Sequence, residues 1–154
     1  MYQVESLIIC VKKKTVDEKQ LCYVSTLTNS ERDLSSILAT SVKNNKLANM
    51  TGMLLVARSN VLQVLEGPRD AVDLKFARIA ADPRHYDLLT LFDEDVPKRS
   101  FPNFSMGYHD LAVPVSGLLQ DDISTFAIGD GSALRRVEPG QAKELLQLFS
   151  TSNQ

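Results

Sequence analysis

The chain is 154 residues long with a formal net charge of −2, and 44% of its residues are hydrophobic. That length accommodates one domain and a modest appendage, and that apolar share builds a core without disulfides or metals to staple it. A balance of 17 basic against 19 acidic residues leaves no cationic footprint, which argues against nucleic acid as a partner.

Residues 1–20 stand apart as a charged N-terminal extension with one short apolar run, 7–11. The run is too short for the core of a secretory signal, and Lys12, Lys13 and Lys14 follow it instead of preceding it. No stretch approaches the roughly 20 apolar residues of a membrane span, so the expected setting is cytoplasmic, with no membrane partner. Cys10 and Cys22 make neither a disulfide framework nor a Cys/His metal cluster.

Residues 21–25 predict a short strand. Ser30 is suited to cap a helix, with Glu31 and Asp33 in the first turn where the helix dipole favours acids. Leu34, Ile37, Leu38, Ser41, Val42 and Asn45 recur at helical spacing along one face, and Asn49 can take the left-handed conformation that ends the helix. Two apolar runs, 51–57 and 61–66, flank Arg58-Ser59-Asn60 and predict a β-hairpin. Pro68 sits where a helix starts, and Ala71, Val72, Leu74, Ala77, Ile79 and Ala80 carry that helix as far as Pro83. Strands follow over 86–92 and 104–111. The order β-α-β-β-α-β-β predicts an α+β fold, a ferredoxin-like sheet with two helices on one face. After Pro114 the pattern predicts C-terminal helices over 117–126 and 141–149, joined by a turn at Gly129-Asp130-Gly131.

Three polar residues break the binary pattern. Asn45 lies on the apolar stripe of the first helix, Gln63 shares a strand face with Val61 and Leu65, and Tyr23 alternates with Leu21 and Ser25. A buried amide without a partner costs on the order of 1–3 kcal/mol. Either the three pair with each other and with nearby backbone, or they surround a polar ligand between helix and sheet.

Over residues 21–111 the chain resembles the BLUF family of flavin photoreceptors. The matching pieces are Leu21-Cys22-Tyr23-Val24-Ser25, Asn44-Asn45, Thr51-Gly52-Met53-Leu54-Leu55 and Gln63-Val64-Leu65-Glu66-Gly67-Pro68. Asp82-Pro83-Arg84-His85, Arg99-Ser100-Phe101 and Phe104-Ser105-Met106-Gly107 complete them. No single piece is specific, but all of them in family order and spacing are a strong signal. The resemblance implies a domain over 21–112 and a helical appendage over 113–154. It also implies noncovalently held FAD, with FMN as the alternative, lying between the two helices and against the sheet.

The same resemblance implies roles. Asn45 would hydrogen-bond the polar edge of the isoalloxazine, Gln63 would stand between ring and Tyr23 phenol, and Ile37 and Leu54 would pack on the ring faces. Arg84 and His85 would lie toward the ribityl side and the rim, with Ser25, Ser41, Asn44 and Asp82 completing the cofactor-binding set. Excited flavin is a strong oxidant, so Tyr23 would supply an electron and then a proton under blue light, and the sequence has no Trp to compete. Glutamine suits a relay because its amide has an acceptor at one end and a donor at the other, so turning it inverts the pattern it presents. Met106 would transmit the change along the last strand.

Other residues have plainer expectations. His85 and His109 are the only histidines and fit no triad or metal spacing, so no turnover reaction is expected. His109 is expected to be solvated or at an edge, Glu66 to be structural at the strand end, and Cys22 to face away from the flavin. Family members often carry Trp two residues before the methionine; Phe104 stands there, and it cannot donate a hydrogen bond. Asn44 stands where some members have His. Short members end in two helices packed on the sheet, which implies a signal to an unidentified downstream protein and a homo-oligomer.

Three other readings compete. An acylphosphatase-like hydrolase on the same fold would use Arg84 and Asn45. An RNA-binding sheet needs exposed aromatics on its central strands, and residues 61–66 contain none. A flavin-free degenerate scaffold is opposed by the intact set of Tyr23, Gln63 and Asn45.

Overall fold

The structure is a computed structural model that describes residues 17–111, 124–125 and 140–152. Its elements run β1 (Glu18–Leu27), α1 (Ser30–Leu47), β2 (Thr51–Ala57), β3 (Asn60–Pro68), α2 (Arg69–Ala80), β4 (His85–Asp95), β5 (Gly107–Asp110), β6 (Ser124–Thr125) and α3 (Gln141–Ser152). They form one sheet of order β4-β1-β3-β2-β5-β6. β3 pairs antiparallel with both β1 and β2, so it splits the β1-α1-β2 unit as a ferredoxin-like fold requires. β5 extends the sheet by pairing parallel to β2.

Strand alternation sorts the residues into two cores. Leu21, Tyr23 and Leu27 of β1, Leu54 and Val56 of β2 and Val61 and Leu65 of β3 face α1 and α2, meeting Leu38, Val42 and Val72. Cys22, Met53, Leu55, Leu62 and Val64 face the other way and are covered by Ala142 and Leu146 of α3, with Phe101 between. Because both faces are covered, every residue of β2 is buried, and the hairpin reads in sequence as two continuous apolar runs instead of an alternation. Ala142, Leu146 and Ser150 recur every four residues and form the buried stripe of α3.

The β-hairpin closes through Arg58, which takes positive φ, and Asn49 ends α1 in the left-handed conformation expected of it. Ser30 is the first residue of α1; its side chain lies outside the described residues, and so does its expected capping bond. Gly52 is a close-approach glycine: a Cβ there would stand 2.2 Å from the Val64 carbonyl oxygen of β3. Gly52→Ala must therefore push two core strands apart, and a loss of about 3 kcal/mol is expected in urea unfolding.

Several expectations need correction. The first strand starts at Glu18, not at residue 21, and so takes in residues 18–20 of the expected extension. It was hidden because its polar residues are satisfied internally. Lys19 is buried between Asp73 and Asp93, and Gln20 donates to Glu66 and to Ser100. Leu74 of α2 is 56% exposed, and Phe76 packs on the core in its place. The last strand of the domain is four residues long, since 104–106 approach it as irregular chain. Ser124 and Thr125, expected in a helix, pair with β5 as a short strand. The rest of that predicted helix, the 129–131 turn, Cys10 and residues 1–16 lie outside the described residues, whereas the predicted 141–149 helix is α3. His109 is buried, not solvated, on the α3 side beside Leu55, and burial lowers its pKa. No helix among the described residues is long and apolar enough to cross a membrane.

Candidate functional site

A cleft of about 290 Å³ opens between α1 and α2. Ile37, Ser41, Asn44 and Asn45 line it from α1, and Asp82, Arg84 and His85 line it from the loop into β4. Seven of the expected cofactor-binding residues thus converge on one cavity. Ser25, Leu54 and Gln63 lie in the sheet and do not line it. Ser25 reaches it indirectly, sharing a 2.9 Å hydrogen bond with His85 Nδ1, and Leu54 is packed into the core on the α1 side.

Next to the cleft lies a buried polar chain. β1 and β3 register Tyr23 directly opposite Gln63, which puts both side chains on the same face. Tyr23 Oη donates to Gln63 Oε1, and Gln63 Nε2 donates to Met106 Sδ at 3.5 Å. Each end of the asymmetric amide therefore has its own partner. The Tyr23 ring is fully buried, tilted against Phe76 at 5.5 Å and edge-on to His85 at 6.3 Å. Phe104 packs on the α3-side core, away from this chain.

Asn45 is fully buried, and its Nδ2 donates to the Ser105 carbonyl at 2.7 Å, next to Met106. Its Oδ1 is the one buried side-chain oxygen or nitrogen without a partner among the described residues. An orphaned acceptor of this kind costs on the order of 1–3 kcal/mol unless a ligand donates to it. A flavin fits that requirement, since the polar edge of its ring carries an N–H. The apolar part of the cleft, Ile37, Ala71 and Ile79, suits the ring's faces.

The remaining polar groups are held firmly. Arg84 grips Asp82 through Nε at 2.9 and 3.0 Å and Nη2 at 2.5 Å, and these bonds hold the Asp82 carboxyl at about 2, below the usual range. Burial pushes the His85 pKa down, which keeps it neutral at physiological pH. Burial raises the Tyr23 and Tyr108 phenols and pushes the Cys22 thiol up to about 12. In the unfolded chain the thiol ionises near 8.5 and the phenols near 10, so the fold holds protons that unfolding releases. Stability is accordingly full below about pH 8.5 and declines as pH rises; the Cys22 share alone reaches about 3 kcal/mol by pH 11, a loss to be read in thermal melts.

Pattern reading missed Thr40, Ala48, Met50, Leu74, Lys75 and Arg78, which also line the cleft. Lys75 and Arg78 look like ordinary solvated helix residues in sequence, and no local signal separates them from one. Tyr108, a second buried phenol on the α1 side, was also missed, although it follows Met106 at strand spacing.

Comparison with known proteins bears on this geometry. The sequence model of the family described as sensors of blue-light using FAD, BLUF, matches residues 19–107. Photoactivated adenylate cyclase subunit beta of Euglena longa is 37% identical over 84 residues, covering 53% of this chain and 10% of that protein. The blue light- and temperature-regulated antirepressor BluF of Escherichia coli K12 is 31% identical over 93 residues, covering 59% of this chain and 23% of that protein. The chain thus spans at most about a quarter of these relatives' length. Among solved structures, Klebsiella pneumoniae BlrP1 with FMN and cyclic diGMP superposes with a TM-score of 0.70 at 27% identity, over 87% of this chain and 34% of that one.

Proposed function

Since the chain belongs to the BLUF family, whose cofactor is FAD, we propose that it is a blue-light photoreceptor that signals by rearranging the hydrogen bonds of Gln63 and has no turnover reaction of its own. The observation that carries this is the buried chain from Tyr23 through Gln63 to Met106, lying beside a cleft with an orphaned acceptor. Asn45, Ile37, Ser41, Asn44, Asp82, Arg84 and His85 hold the cofactor in the cleft, with Ser25, Leu54 and Gln63 supporting it from the sheet.

Bound flavin supplies blue absorption and, once excited, a strong oxidant. Tyr23 supplies the electron in this reading, which is supported by its Oη proton already having an acceptor in Gln63 Oε1. The low-dielectric surroundings that raise its pKa make the phenolate costly, so the proton does not leave ahead of the electron. When both return, Tyr23 is restored and the Gln63 amide is left turned, with its nitrogen toward the phenol and its oxygen toward Met106. That exchange removes the bond to Met106 Sδ and biases β5. From β5 the change passes through the sheet to α3 and on to a partner protein. One rearranged hydrogen bond is worth about 0.5–1.5 kcal/mol, enough to shift a population several-fold.

A hydrolase using Arg84 and Asn45 is not favoured, because Arg84 is committed to Asp82 on three contacts. The deciding experiment is the absorption spectrum of purified protein before and after a blue flash. A flavin spectrum that moves slightly to the red and recovers in darkness is the expected result. A protein that takes up flavin yet shows no light-induced change overturns the photoreceptor reading.

A further inference from the structure

A strand has hydrogen-bonding groups on both sides, and among the described residues β4 has a partner only on its β1 side. Along this open edge Leu89 and Leu91 are exposed, and Asp93, Glu94 and Asp95 follow in succession. The acids outnumber the bases beside them. Lys19 is shared by Asp93 and by Asp73 of α2, and Arg69 is paired with Asp95. Asp17 lies near Arg69, and Glu94 stands opposite Gln20, adding two more carboxylates. The edge is therefore an apolar strip that runs into a local excess of negative charge.

The same chain holds a sequence of the opposite kind. Leu7, Ile8, Ile9, Cys10 and Val11 are apolar and mostly β-branched, and Lys12, Lys13 and Lys14 follow directly. These residues lie outside the described ones, which begin at Asp17. The described chain enters beside the acidic end of β4: the Glu18 carbonyl accepts from the Val96 N–H at 3.0 Å, and Lys19 registers with Asp95. Two interstrand spacings of about 4.8 Å separate β1 from a position outside β4. Thr15, Val16 and Asp17 span about 10 Å when extended, so the link is long enough. Direction then decides the match. β1 is antiparallel to β4, so a segment outside β4 that leads straight into β1 runs parallel to β4. In that direction both sequences are apolar first and charged last. Setting Lys14 beside Asp95 puts Lys12 beside Asp93 and Cys10 beside Leu91. From Phe92 to Asp95, β4 pairs with β1 in unbroken register, whereas both register shifts fall earlier in the strand. This stretch is regular enough for strand addition, although the edge as a whole is not.

We propose that the open edge of β4 is the docking site for residues 7–14 of this same chain, seated parallel to it. Lys12, Lys13 and Lys14 meet Asp93, Glu94 and Asp95, and the apolar residues before them cover Leu89 and Leu91. The N-terminal extension is thus a cover tethered to the edge it protects, and the tether gives it an effective concentration that a free strand lacks.

Amide hydrogen exchange of the full chain, resolved by residue, tests this. In the unaltered protein the amides of residues 92–95 that point away from β1 are expected to exchange roughly tenfold more slowly than in the triple variant Lys12→Glu, Lys13→Glu, Lys14→Glu. The amides of β3, which is paired on both sides, report whether the fold is intact in both proteins. Raising salt on the unaltered protein is expected to weaken the same protection without any substitution. Equal exchange of residues 92–95 in the two proteins overturns the proposal, whether the edge is open in both or covered by something else. Protection that grows with protein concentration, together with the mass of a dimer, assigns the cover to a second copy and likewise overturns docking within one chain.

Discussion

In Gln63→Leu, loaded with saturating FAD, a blue flash is expected to leave no red-shifted product. Leucine keeps most of the volume of the side chain and removes both of its hydrogen bonds at once, the one accepted from Tyr23 Oη and the one donated to Met106 Sδ. With no amide there is nothing to turn, so the two positions of the relay collapse into one. The substitution also leaves the fully buried Tyr23 hydroxyl without a partner, at about 1–3 kcal/mol. Tyr23→Phe is expected to give the same dark outcome for a different reason, since the ring stays and only the transferable proton is gone. Difference absorption spectroscopy reads both. A red shift of normal size in Gln63→Leu would sink the relay, whereas one in Tyr23→Phe alone would leave Gln63 standing and move the donor role to another phenol, of which Tyr108 is the buried candidate on the same side.

The largest stability effect is expected at Glu66. Its side chain is fully buried on the α3 side of β3, where it accepts from the backbone N–H of Ser100 at 2.7 Å and of Phe101 at 2.9 Å, and from Gln20. The segment after β4 crosses from one edge of the sheet toward β5, and Glu66 pins it midway, with Phe101 inserted into the core beside it. Glu66→Ala takes the acceptor from these three donors and from the buried Thr51 hydroxyl, four in all, and a loss of about 3–5 kcal/mol is expected in urea unfolding. Against a typical total of roughly 5–15 kcal/mol this brings the fold close to its limit. Glu66→Gln keeps one acceptor oxygen and is expected to lose about half as much. A loss below about 1 kcal/mol for the alanine variant contradicts this account.

These two residues show what a sequence discloses. Gln63 was conspicuous because it interrupts a strand face that is otherwise apolar, and Asn45 interrupts a helix stripe in the same way. The signal in each case is a conflict between residue type and period, and such conflicts gather at functional sites. Glu66 offered less, because its partners, two backbone groups some 34 residues later and the Gln20 and Thr51 side chains, are all distant in sequence, and no local pattern announces them. Residues 18–20 were misassigned for a related reason: a strand whose polar side chains are satisfied by distant partners has the composition of a loop. Lys75 was invisible for the opposite reason, since a lysine on a helix surface is the ordinary case and only the facing helix shows that it borders a cavity.

The strand that closes one side of the sheet has a consequence for how copies of this protein meet. β4 is eleven residues long, pairs among the described residues only on its β1 side, and exposes Tyr86, Leu89 and Leu91. A long apolar rim of this kind is a template for another chain to add to. Two register shifts against β1 kink it out of the flat geometry such addition needs. Asp93 and Asp95 are ion-paired with Lys19 and Arg69, but Asp87 and Glu94 add two more carboxylates along the same rim, so two copies approaching edge to edge meet like charge before their backbones can zip. This guarded boundary lies at the opposite end of the sheet from β5, so what keeps copies of the chain apart there is separate in space from the buried chain that ends at Met106.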